Sequence, residues 1–151
     1  MKIKVDDLSD PRIAAFLEEH IEEMKSVSPS QTKNTLDVKG LRKPDITFWA
    51  AWQGEEIVAC GALKELSSSH AEVKSMRVSP AHRGKKLASK MLKHILFEAK
   101  LRGYQKLSLE TGPMAFFEPA HQLYRKFGFK NCAPFGSYKE DPGSIFMSLA
   151  L

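Results

Sequence analysis

VSPAHRGKKLASKML, residues 78–92, joins the end of an apolar run to the start of an amphipathic pattern through a proline turn. Arg83, Lys85 and Lys86 fall where the helix should begin. Cations are disfavoured there, because that end of the helix dipole is positive. The first amides of a helix have no intrahelical partners, so a bound phosphate can accept several of them and offset the cations. The stretch therefore indicates either a phosphate site or an ordinary solvated basic turn.

The glycine in this stretch narrows the kind of phosphate site. Gly84 permits close approach of a ligand to the backbone, and the neighbouring cations can add charge-assisted contacts. The chain has no GxxxxGK[ST] segment and no GxGxxG after a strand, so neither a P-loop nor a dinucleotide-binding unit is predicted. A different anion cradle is required.

Periodicity on both sides of the stretch predicts a mixed sheet. Before it, short runs rich in β-branched and aromatic residues at 46–52, 57–63 and 71–78 are separated by turn signals, which favours three antiparallel strands. After it, apolar residues at helical spacing over 87–99 precede a strand at 106–110. A strand, helix, strand order indicates a parallel pair with a right-handed crossover.

The remaining segments are predicted from shorter patterns, and they complete an α+β order with one mixed sheet. Alternation predicts a first strand at 2–5, and helical spacing from Pro11, with Asp10 as N-cap, predicts the first helix. The other predicted segments are a polar loop at 26–35, a helical turn at 36–41, a short helix at 120–127, and last strands at 129–131 and 145–151. No repeat or linker divides the chain, so residues 1–151 are predicted to form one domain.

Composition narrows the class of protein. The chain has 151 residues, 42% of them hydrophobic, and a formal net charge of +5. Its apolar runs are shorter than the roughly 20 residues of a membrane span, and residues 1–10 lack the apolar core of a secretory signal, so a cytoplasmic protein without a membrane partner is expected. A mildly basic surface favours anionic ligands. Cys60 and Cys132 lie outside any CxxC pair, so core thiols are expected rather than a disulfide or a metal site.

The segment Arg83-Gly84-Lys85-Lys86-Leu87-Ala88, preceded by V-S-P, resembles the acetyl-CoA loop of the GNAT superfamily of N-acetyltransferases. That loop is written [QR]-x-x-G-x-[GA] and lies between the fourth strand and the following helix. Lys86 stands where the family usually has glycine. We expect this lysine to keep helical backbone angles and still offer its N–H, so that phosphate binding is retained.

Two further segments resemble landmarks of the same family. AHQLYRKFGF, residues 120–129, is similar to a helix that ends at a Gly-Phe pair and carries a tyrosine facing the cofactor sulfur. AEVKSMRV, residues 71–78, is similar to the fourth strand, whose backbone pairs with the pantetheine arm near Met76 and Val78. The resemblance spans roughly residues 46–131. It implies the GNAT fold, a mixed twisted sheet flanked by helices and splayed between strands four and five.

The resemblance also implies an activity. This is transfer of an acetyl group from acetyl-CoA to a primary amine, by direct attack in a ternary complex, with no metal and no acyl-enzyme. A small-molecule acceptor is preferred over a protein α-amine or lysine, because the sequence shows no long acidic groove. Dimers are frequent in the family, so a homodimer is compatible with it. The implied cofactor-binding residues are Met76, Arg77, Val78, Arg83, Gly84, Lys85, Lys86, Leu87 and Ala88.

Glu72 is implied as the general base. It lies six residues before Val78, which matches a glutamate used in this role by some family members. Strict alternation places it on one strand face with Lys74, Met76 and Val78, unless a bulge intervenes. The alternative interpretation is an exposed strand glutamate paired with a neighbouring lysine.

Tyr124 is implied as the acid that protonates the leaving thiolate. Its alternative role is core packing, since it shares an apolar stripe with Ala120 and Phe127, and both roles can hold because a tyrosine can bury its ring and aim its hydroxyl. His82 and His121 adjoin the two landmarks. Either imidazole can relay protons near neutral pH, but we expect both histidines to be exposed and solvated.

Two other classes of function remain open. A non-catalytic CoA-binding sensor would bind CoA without turnover of any amine. A nucleic-acid binder would use the basic loop, but aromatic stacking platforms and a basic stripe are not evident in the sequence. No nucleic-acid partner is therefore expected.

Overall fold

The computed structural model describes residues 1–27 and 34–151. Its elements in chain order are β1 Lys2–Val5, α1 Pro11–Val27, α2 Val38–Leu41, β2 Ile46–Gln53, β3 Glu56–Glu65, β4 His70–Val78, α3 Leu87–Leu101, β5 Lys106–Thr111, α4 Glu118–Lys126, β6 Lys130–Asn131 and β7 Ile145–Ala150. Short 3-10 turns lie at Pro80–His82 and Ala115–Phe117. Each strand and helix predicted from the sequence has a counterpart among these elements.

The first helix begins as predicted but continues further. The Asp10 carboxylate accepts a hydrogen bond of 2.9 Å from the amide of Arg12, which confirms Asp10 as the cap. α1 reaches Val27, so residues 26 and 27 are helical where a loop was predicted. Of the rest of that predicted loop, residues 28–33 lie outside the described residues, and residues 34 and 35 lie between α1 and α2. None of the helices in the described ranges is long and apolar enough to cross a membrane.

The described strands form one mixed sheet in the order β1-β2-β3-β4-β5-β7-β6. Neighbouring strands are antiparallel except β4 and β5, which are parallel and are connected through α3. The predicted parallel pair is therefore confirmed. α3 covers one face of the sheet, while α1 and α2 pack with the apolar cluster on the other.

The parallel pair opens shortly after it forms. In the described strands, β4 and β5 pair only where His70–Glu72 lies opposite Lys106–Ser108. β4 then continues to Val78 and β5 to Thr111. The two halves of the sheet consequently diverge, and the predicted splay between strands four and five is confirmed.

A bulge interrupts β4 beside the gap. Ser75 takes a left-handed φ of +55°, and the register between β3 and β4 shifts between Cys60 and Ala62. The Ser75 carbonyl accepts a hydrogen bond of 3.1 Å from the Cys60 thiol. Gly61, opposite the bulge, leaves room for the helix beneath, since a Cβ at this position would lie 2.7 Å from Cδ1 of Ile95. The bulge is therefore accommodated by a glycine on the neighbouring strand.

The bulge changes which residues of β4 share a face. Val73 before it packs in the same apolar cluster as Met76 and Val78 after it, so alternation is broken between positions 73 and 76. Glu72 and Lys74 consequently point to the face opposite Met76 and Val78. The expectation from strict alternation that these four residues share a face is wrong, for the reason that a bulge does intervene.

Cys60 lies in the apolar cluster on the side of α1 and α2 and is fully buried. Burial raises the pKa of its thiol to about 12. The predicted core role of this cysteine is confirmed.

Candidate active site

The gap between β4 and β5 opens into a groove of about 780 Å³. The end of β4, the start of α3, α4 and the last turns of α1 line it. Of the implied cofactor-binding residues, those that line the groove are Met76, Arg77, Val78, Arg83, Gly84, Lys86, Leu87 and Ala88. Lys85 is exposed and lies outside the described lining.

The backbone at the start of α3 turns through two left-handed residues. Gly84 has φ +81°, and a Cβ there would meet no described atom within 4 Å. Lys86, the N-cap of α3, has φ +64° and ψ 20°. The expectation that Lys86 keeps helical angles is wrong. A left-handed conformation costs a non-glycine residue roughly 1–2 kcal/mol, which explains why glycine is the more usual residue at this position.

The first turn of α3 is left without a side-chain cap. Within the described residues, Lys86 makes no capping hydrogen bond, and the first intrahelical bond of this turn is donated by the Lys90 amide to the Lys86 carbonyl at 3.2 Å. The amides of residues 87–89 therefore point toward the groove end of the helix without an intrahelical acceptor. Backbone donors in this arrangement suit a diphosphate.

Arginine side chains of the groove are already engaged with α1. Arg83 donates from Nη2 to both carboxylate oxygens of Glu23, at 2.8 and 2.9 Å. Buried Arg77 donates from Nη1 to the carbonyl of Phe16 at 3.0 Å. Lys86 and Lys126 also line the groove and are exposed. The lysines are thus the cations that can turn most easily toward a bound anion.

A smaller cavity of about 120 Å³ adjoins the groove. β4, β5 and the segment 34–36 contribute to its walls, including Glu72, Lys74 and Glu110. The residues that line both cavities are His20, Met24, Met76, Phe117, Ala120 and Tyr124. A reactive group at the inner end of the groove would therefore face the contents of the smaller cavity, which we call the acceptor pocket.

Glu72 is held in a buried network in the acceptor pocket. It is only 2% exposed, and its Oε2 accepts hydrogen bonds from the Tyr138 hydroxyl at 2.6 Å and from Lys74 Nζ at 3.2 Å. Lys74 also donates to the Tyr138 hydroxyl at 2.9 Å and to the carbonyl of Asn34 at 3.3 Å. The alternative interpretation of Glu72 is confirmed in one part, because the glutamate is paired with a neighbouring lysine. It is wrong in the other part, because the glutamate is buried.

Sequence reasoning missed Tyr138 in this network. The residue lies in the connection between β6 and β7, 66 positions from Glu72. Burial, the Glu72 charge and the hydrogen bond to Glu72 raise the pKa of its phenol. No periodicity marks the connection, and the tyrosine in GSYKE is the one local signal that could have drawn attention to it.

Tyr124 lines both cavities from α4 and is largely buried. Its ring packs at an angle against Phe129, with 5.8 Å between ring centroids. Burial raises the pKa of its hydroxyl to about 12. Core packing and exposure to the cavities therefore coexist at this residue.

The histidines near the landmarks are buried, so the expectation that they are exposed is wrong. His121 is 2% exposed and donates from Nε2 to the carbonyl of Gly112 at 2.8 Å. His82 is also buried, with Nε2 3.6 Å from Glu56. Both imidazoles are therefore part of the protein interior.

His20 lies in α1, and its position in the site was not anticipated from the sequence. It lines both cavities, and its buried Nδ1 has no hydrogen-bond partner among residues 1–27 and 34–151. Burial, together with the charge of Arg77, lowers the pKa of its imidazole to about 4. Among the described residues, no group of three His, Cys, Asp or Glu side chains is close enough to hold a metal ion.

A family profile described as "Acetyltransferase (GNAT) family" matches residues 11–129. The chain belongs to this family. It is 50% identical over 151 residues to the uncharacterized N-acetyltransferase YsnE of Bacillus subtilis (strain 168), with 100% of both chains covered. It is 36% identical to the IAA acetyltransferase of Azospirillum brasilense, with 92% of this chain and 90% of that protein covered. The GNAT resemblance inferred from the sequence is confirmed, and the chain is an acetyl-CoA-dependent N-acetyltransferase.

Solved structures show the same GNAT fold. An acetyltransferase from Streptococcus agalactiae matches with a TM-score of 0.80 at 19% identity, over 99% of this chain and 98% of that one. A GNAT family acetyltransferase from Elizabethkingia anophelis, solved with acetyl-CoA bound, matches with a TM-score of 0.66 at 18% identity, over 99% and 97%. The mixed sheet flanked by helices is therefore the GNAT architecture.

Proposed function

We propose that residues 1–151 form one catalytic domain that transfers the acetyl group of acetyl-CoA to a primary amine of a small molecule in the cytoplasm. The amine would attack the thioester directly in a ternary complex. Observations of the groove, of the acceptor pocket and of the side chains between them support this proposal.

The observation that carries the proposal is the opposite charge of two adjoining cavities. The charged residues of the groove are Arg77, Arg83, Lys86 and Lys126, with Glu23 as the opposing anion. Those of the acceptor pocket are Glu72 and Glu110, with Lys74 as the opposing cation. The groove therefore favours an anionic diphosphate, while the pocket favours a protonated amine.

The start of α3 would hold the cofactor through its backbone. The amides of residues 84–88 would donate to the diphosphate, and Lys86 would add a charge-assisted contact. The strand at 76–78 would pair with the pantetheine arm. In this arrangement the thioester would lie at the end of the groove that adjoins the acceptor pocket.

Two side chains would move the protons of the reaction. Glu72 would take a proton from the bound ammonium, directly or through a water molecule, and so leave a neutral amine to attack the thioester carbonyl. Tyr124, whose pKa is raised to about 12 by burial, stays protonated at neutral pH and would donate to the sulfur as the C–S bond breaks. Direct attack needs no acyl-enzyme, which agrees with the burial of Cys60.

The size of the acceptor pocket supports a small acceptor. Its volume of about 120 Å³ is close to that of an engineered cavity of about 150 Å³ that binds benzene. A protein or peptide amine would have to reach Glu72 through this space on an extended side chain. Peptide acetylation is therefore the second candidate, and a CoA sensor without catalysis is the third.

A screen for acetyl-CoA-dependent thiol release tests the reaction. We expect at least one amine among benzylamine, tyramine, lysine, spermidine, kanamycin and a short peptide to release CoA faster than buffer alone. The acetylated product should be detected by mass spectrometry on nitrogen. If CoA binds but no amine is turned over, the sensor is the better function, and turnover of the peptide alone would favour a protein acceptor.

A pair of substitutions at Gly84 tests the phosphate site. Gly84→Ala and Gly84→Asp impose the same left-handed strain, but only the aspartate adds negative charge beside the proposed diphosphate. We expect Gly84→Asp to weaken CoA binding at least about tenfold relative to Gly84→Ala, as measured by calorimetry. Equal affinities would show that the diphosphate binds elsewhere.

A further inference from the structure

We infer that Tyr138 is a positioning residue for the reaction, which together with Lys74 holds the Glu72 carboxylate in one orientation in the acceptor pocket. The inference rests on the proposed role of Glu72 as the base. It assigns a function to the connection between β6 and β7, which otherwise has no part in the site.

The direction of each hydrogen bond in the network follows from the chemistry of the groups. Lys74 can only donate, so its bond of 2.9 Å to Tyr138 uses a lone pair of the phenol oxygen. The single proton of Tyr138 is then free to be donated to Glu72 Oε2 at 2.6 Å. Lys74 donates to the same oxygen at 3.2 Å. The order of donation is therefore fixed from Lys74 through Tyr138 to Glu72.

The network gives the two carboxylate oxygens of Glu72 different hydrogen-bonding environments. Among the described contacts, both hydrogen bonds to this carboxylate go to Oε2. Oε1 is thus the oxygen that remains to accept a proton from an amine or a water molecule. Two donors on one oxygen restrict rotation of the carboxylate, which is the preorganisation that a positioned base requires.

Packing keeps Tyr138 from leaving this position. Its ring lies at an angle against Phe135, with centroids 5.1 Å apart, and against Phe146, with centroids 5.5 Å apart. Phe135 and Phe146 in turn pack against each other at 5.8 Å. The aromatic cluster of Phe135, Tyr138 and Phe146 therefore holds the Tyr138 hydroxyl within hydrogen-bond distance of Glu72.

Other ionisable groups surround the network. His70 lies on the same strand, where it feels the Glu72 charge, and its Nε2 is 2.7 Å from the hydroxyl of Ser108. The charge of Glu110 on β5 also acts on Tyr138. The Lys74 ammonium and the Tyr138 phenol are the groups that contact Glu72 directly, so their removal is the most specific perturbation.

The test compares Tyr138→Phe with Tyr104→Phe. Tyr104 donates to Glu65 at 2.6 Å and does not line either cavity within the described residues. The control thus removes the same kind of hydrogen bond, from a tyrosine to a glutamate, outside both cavities. With the fastest amine of the screen, we expect Tyr138→Phe to lower kcat/KM about tenfold to a hundredfold, the loss of a hydrogen bond to a charged group.

The same variant should change the pH dependence. Because Tyr138 donates to the ionised carboxylate, its removal should shift the acid limb of the kcat/KM profile to higher pH. Lys74→Met should shift the limb in the same direction, while Tyr104→Phe should leave it in place. CoA affinity, measured by calorimetry, should stay within about twofold in each variant, since none of these side chains lines the groove.

The outcomes separate the inference from the proposed function. If Glu72→Gln is impaired but Tyr138→Phe has the rate and the pH profile of the unmodified protein, the positioning role is wrong and the base stands. If Glu72→Gln is as active as the unmodified protein, the base assignment fails and the inference fails with it. Should Tyr138→Phe not fold, the Lys74→Met profile decides, because Lys74 donates to the same oxygen. An unshifted acid limb in Lys74→Met would then overturn the inference.

Discussion

Tyr124 and His20 line both cavities, and burial keeps both side chains neutral around pH 7. Burial disfavours the charged form of each group, so it raises the pKa of the phenol to about 12 and lowers the pKa of the imidazole to about 4. The neutral phenol retains a proton to donate. The neutral imidazole adds no positive charge beside a pocket that is proposed to bind an ammonium. Both effects agree with the proposed reaction.

Removal of the Tyr124 hydroxyl tests its role as the acid. We expect Tyr124→Phe to lower kcat about a hundredfold, which is the lower end of the usual contribution of a positioned acid. CoA affinity and thermal stability should be nearly unchanged, because the phenylalanine ring keeps the packing against Phe129. Thiol release with both acetyl-CoA and the amine at saturating concentration gives kcat directly. A variant with unchanged kcat would exclude Tyr124 as the proton donor.

The His20 environment predicts a pH dependence of stability. In the unfolded chain this imidazole has the ordinary histidine pKa of 6.5, whereas in the folded protein its pKa is lowered to about 4. The unfolded state thus binds more protons in this window, so stability falls as the pH drops from 6.5 toward 4. The loss from this residue between pH 7 and pH 5 is about 2 kcal/mol.

Urea unfolding at the two pH values measures that loss. His20→Gln removes the titrating group but keeps a polar side chain of similar size. We expect the difference in free energy of unfolding between pH 7 and pH 5 to be smaller in the variant by about 2 kcal/mol. An identical difference in both proteins would mean that His20 is protonated equally easily in the folded and the unfolded states.

At the scale of single elements, the start of α3 combines a strained backbone with a proposed binding function. Lys86 holds φ +64° where glycine would be unstrained. The strain leaves a cationic side chain at the N-terminal end of the helix, where the dipole disfavours it. Both costs are offset when an anion binds to the adjacent amides. Stability has therefore been lowered at the position where the diphosphate is proposed to bind.

The substitution Lys86→Gly tests how much the left-handed backbone of Lys86 lowers stability. We expect it to raise the free energy of unfolding by about 1 kcal/mol, because glycine adopts the left-handed region without steric strain. Lys85→Gly is the matched control, since Lys85 is exposed and has no positive φ. That control should be neutral or slightly destabilising. Urea unfolding without ligand measures the free energy of unfolding of both variants. Equal changes in the two variants would show that the backbone at Lys86 is not strained.

Sequence periodicity predicted the elements but not their local irregularities. The position of the β4 bulge was not predictable, because Ser75 is not a residue that favours a positive φ. The left-handed angle of Lys86 was missed for a similar reason, since lysine is compatible with an ordinary helical start. In both places the tertiary structure overrides a residue's own preference. These irregularities lie beside the two cavities.

At the scale of the whole molecule, the cofactor side of the site was easier to anticipate than the acceptor side. The residues proposed to bind the diphosphate are consecutive in the chain, so a local motif describes them. Tyr138 reaches Glu72 only because β7 returns beside β5, across 66 positions. Such a contact leaves no local pattern. The acceptor pocket therefore required the fold before its members could be identified.

The groove crosses the gap between the two halves of the sheet, so cofactor binding should change more than local contacts. A ligand at 100 times its dissociation constant raises the free energy of unfolding by about 2.7 kcal/mol. This global increase in stability slows hydrogen exchange only at amides that exchange through global unfolding.

The amides of residues 87–89 lack intrahelical acceptors and should exchange quickly without ligand. We expect CoA to slow these amides, together with Met76–Val78, as measured by hydrogen exchange and mass spectrometry. At a CoA concentration near the dissociation constant of the unmodified protein, Gly84→Asp should lose most of that local protection, because its affinity is expected to be at least about tenfold weaker. If CoA slows only the central strands and leaves residues 87–89 fast, the diphosphate does not bind at the start of α3.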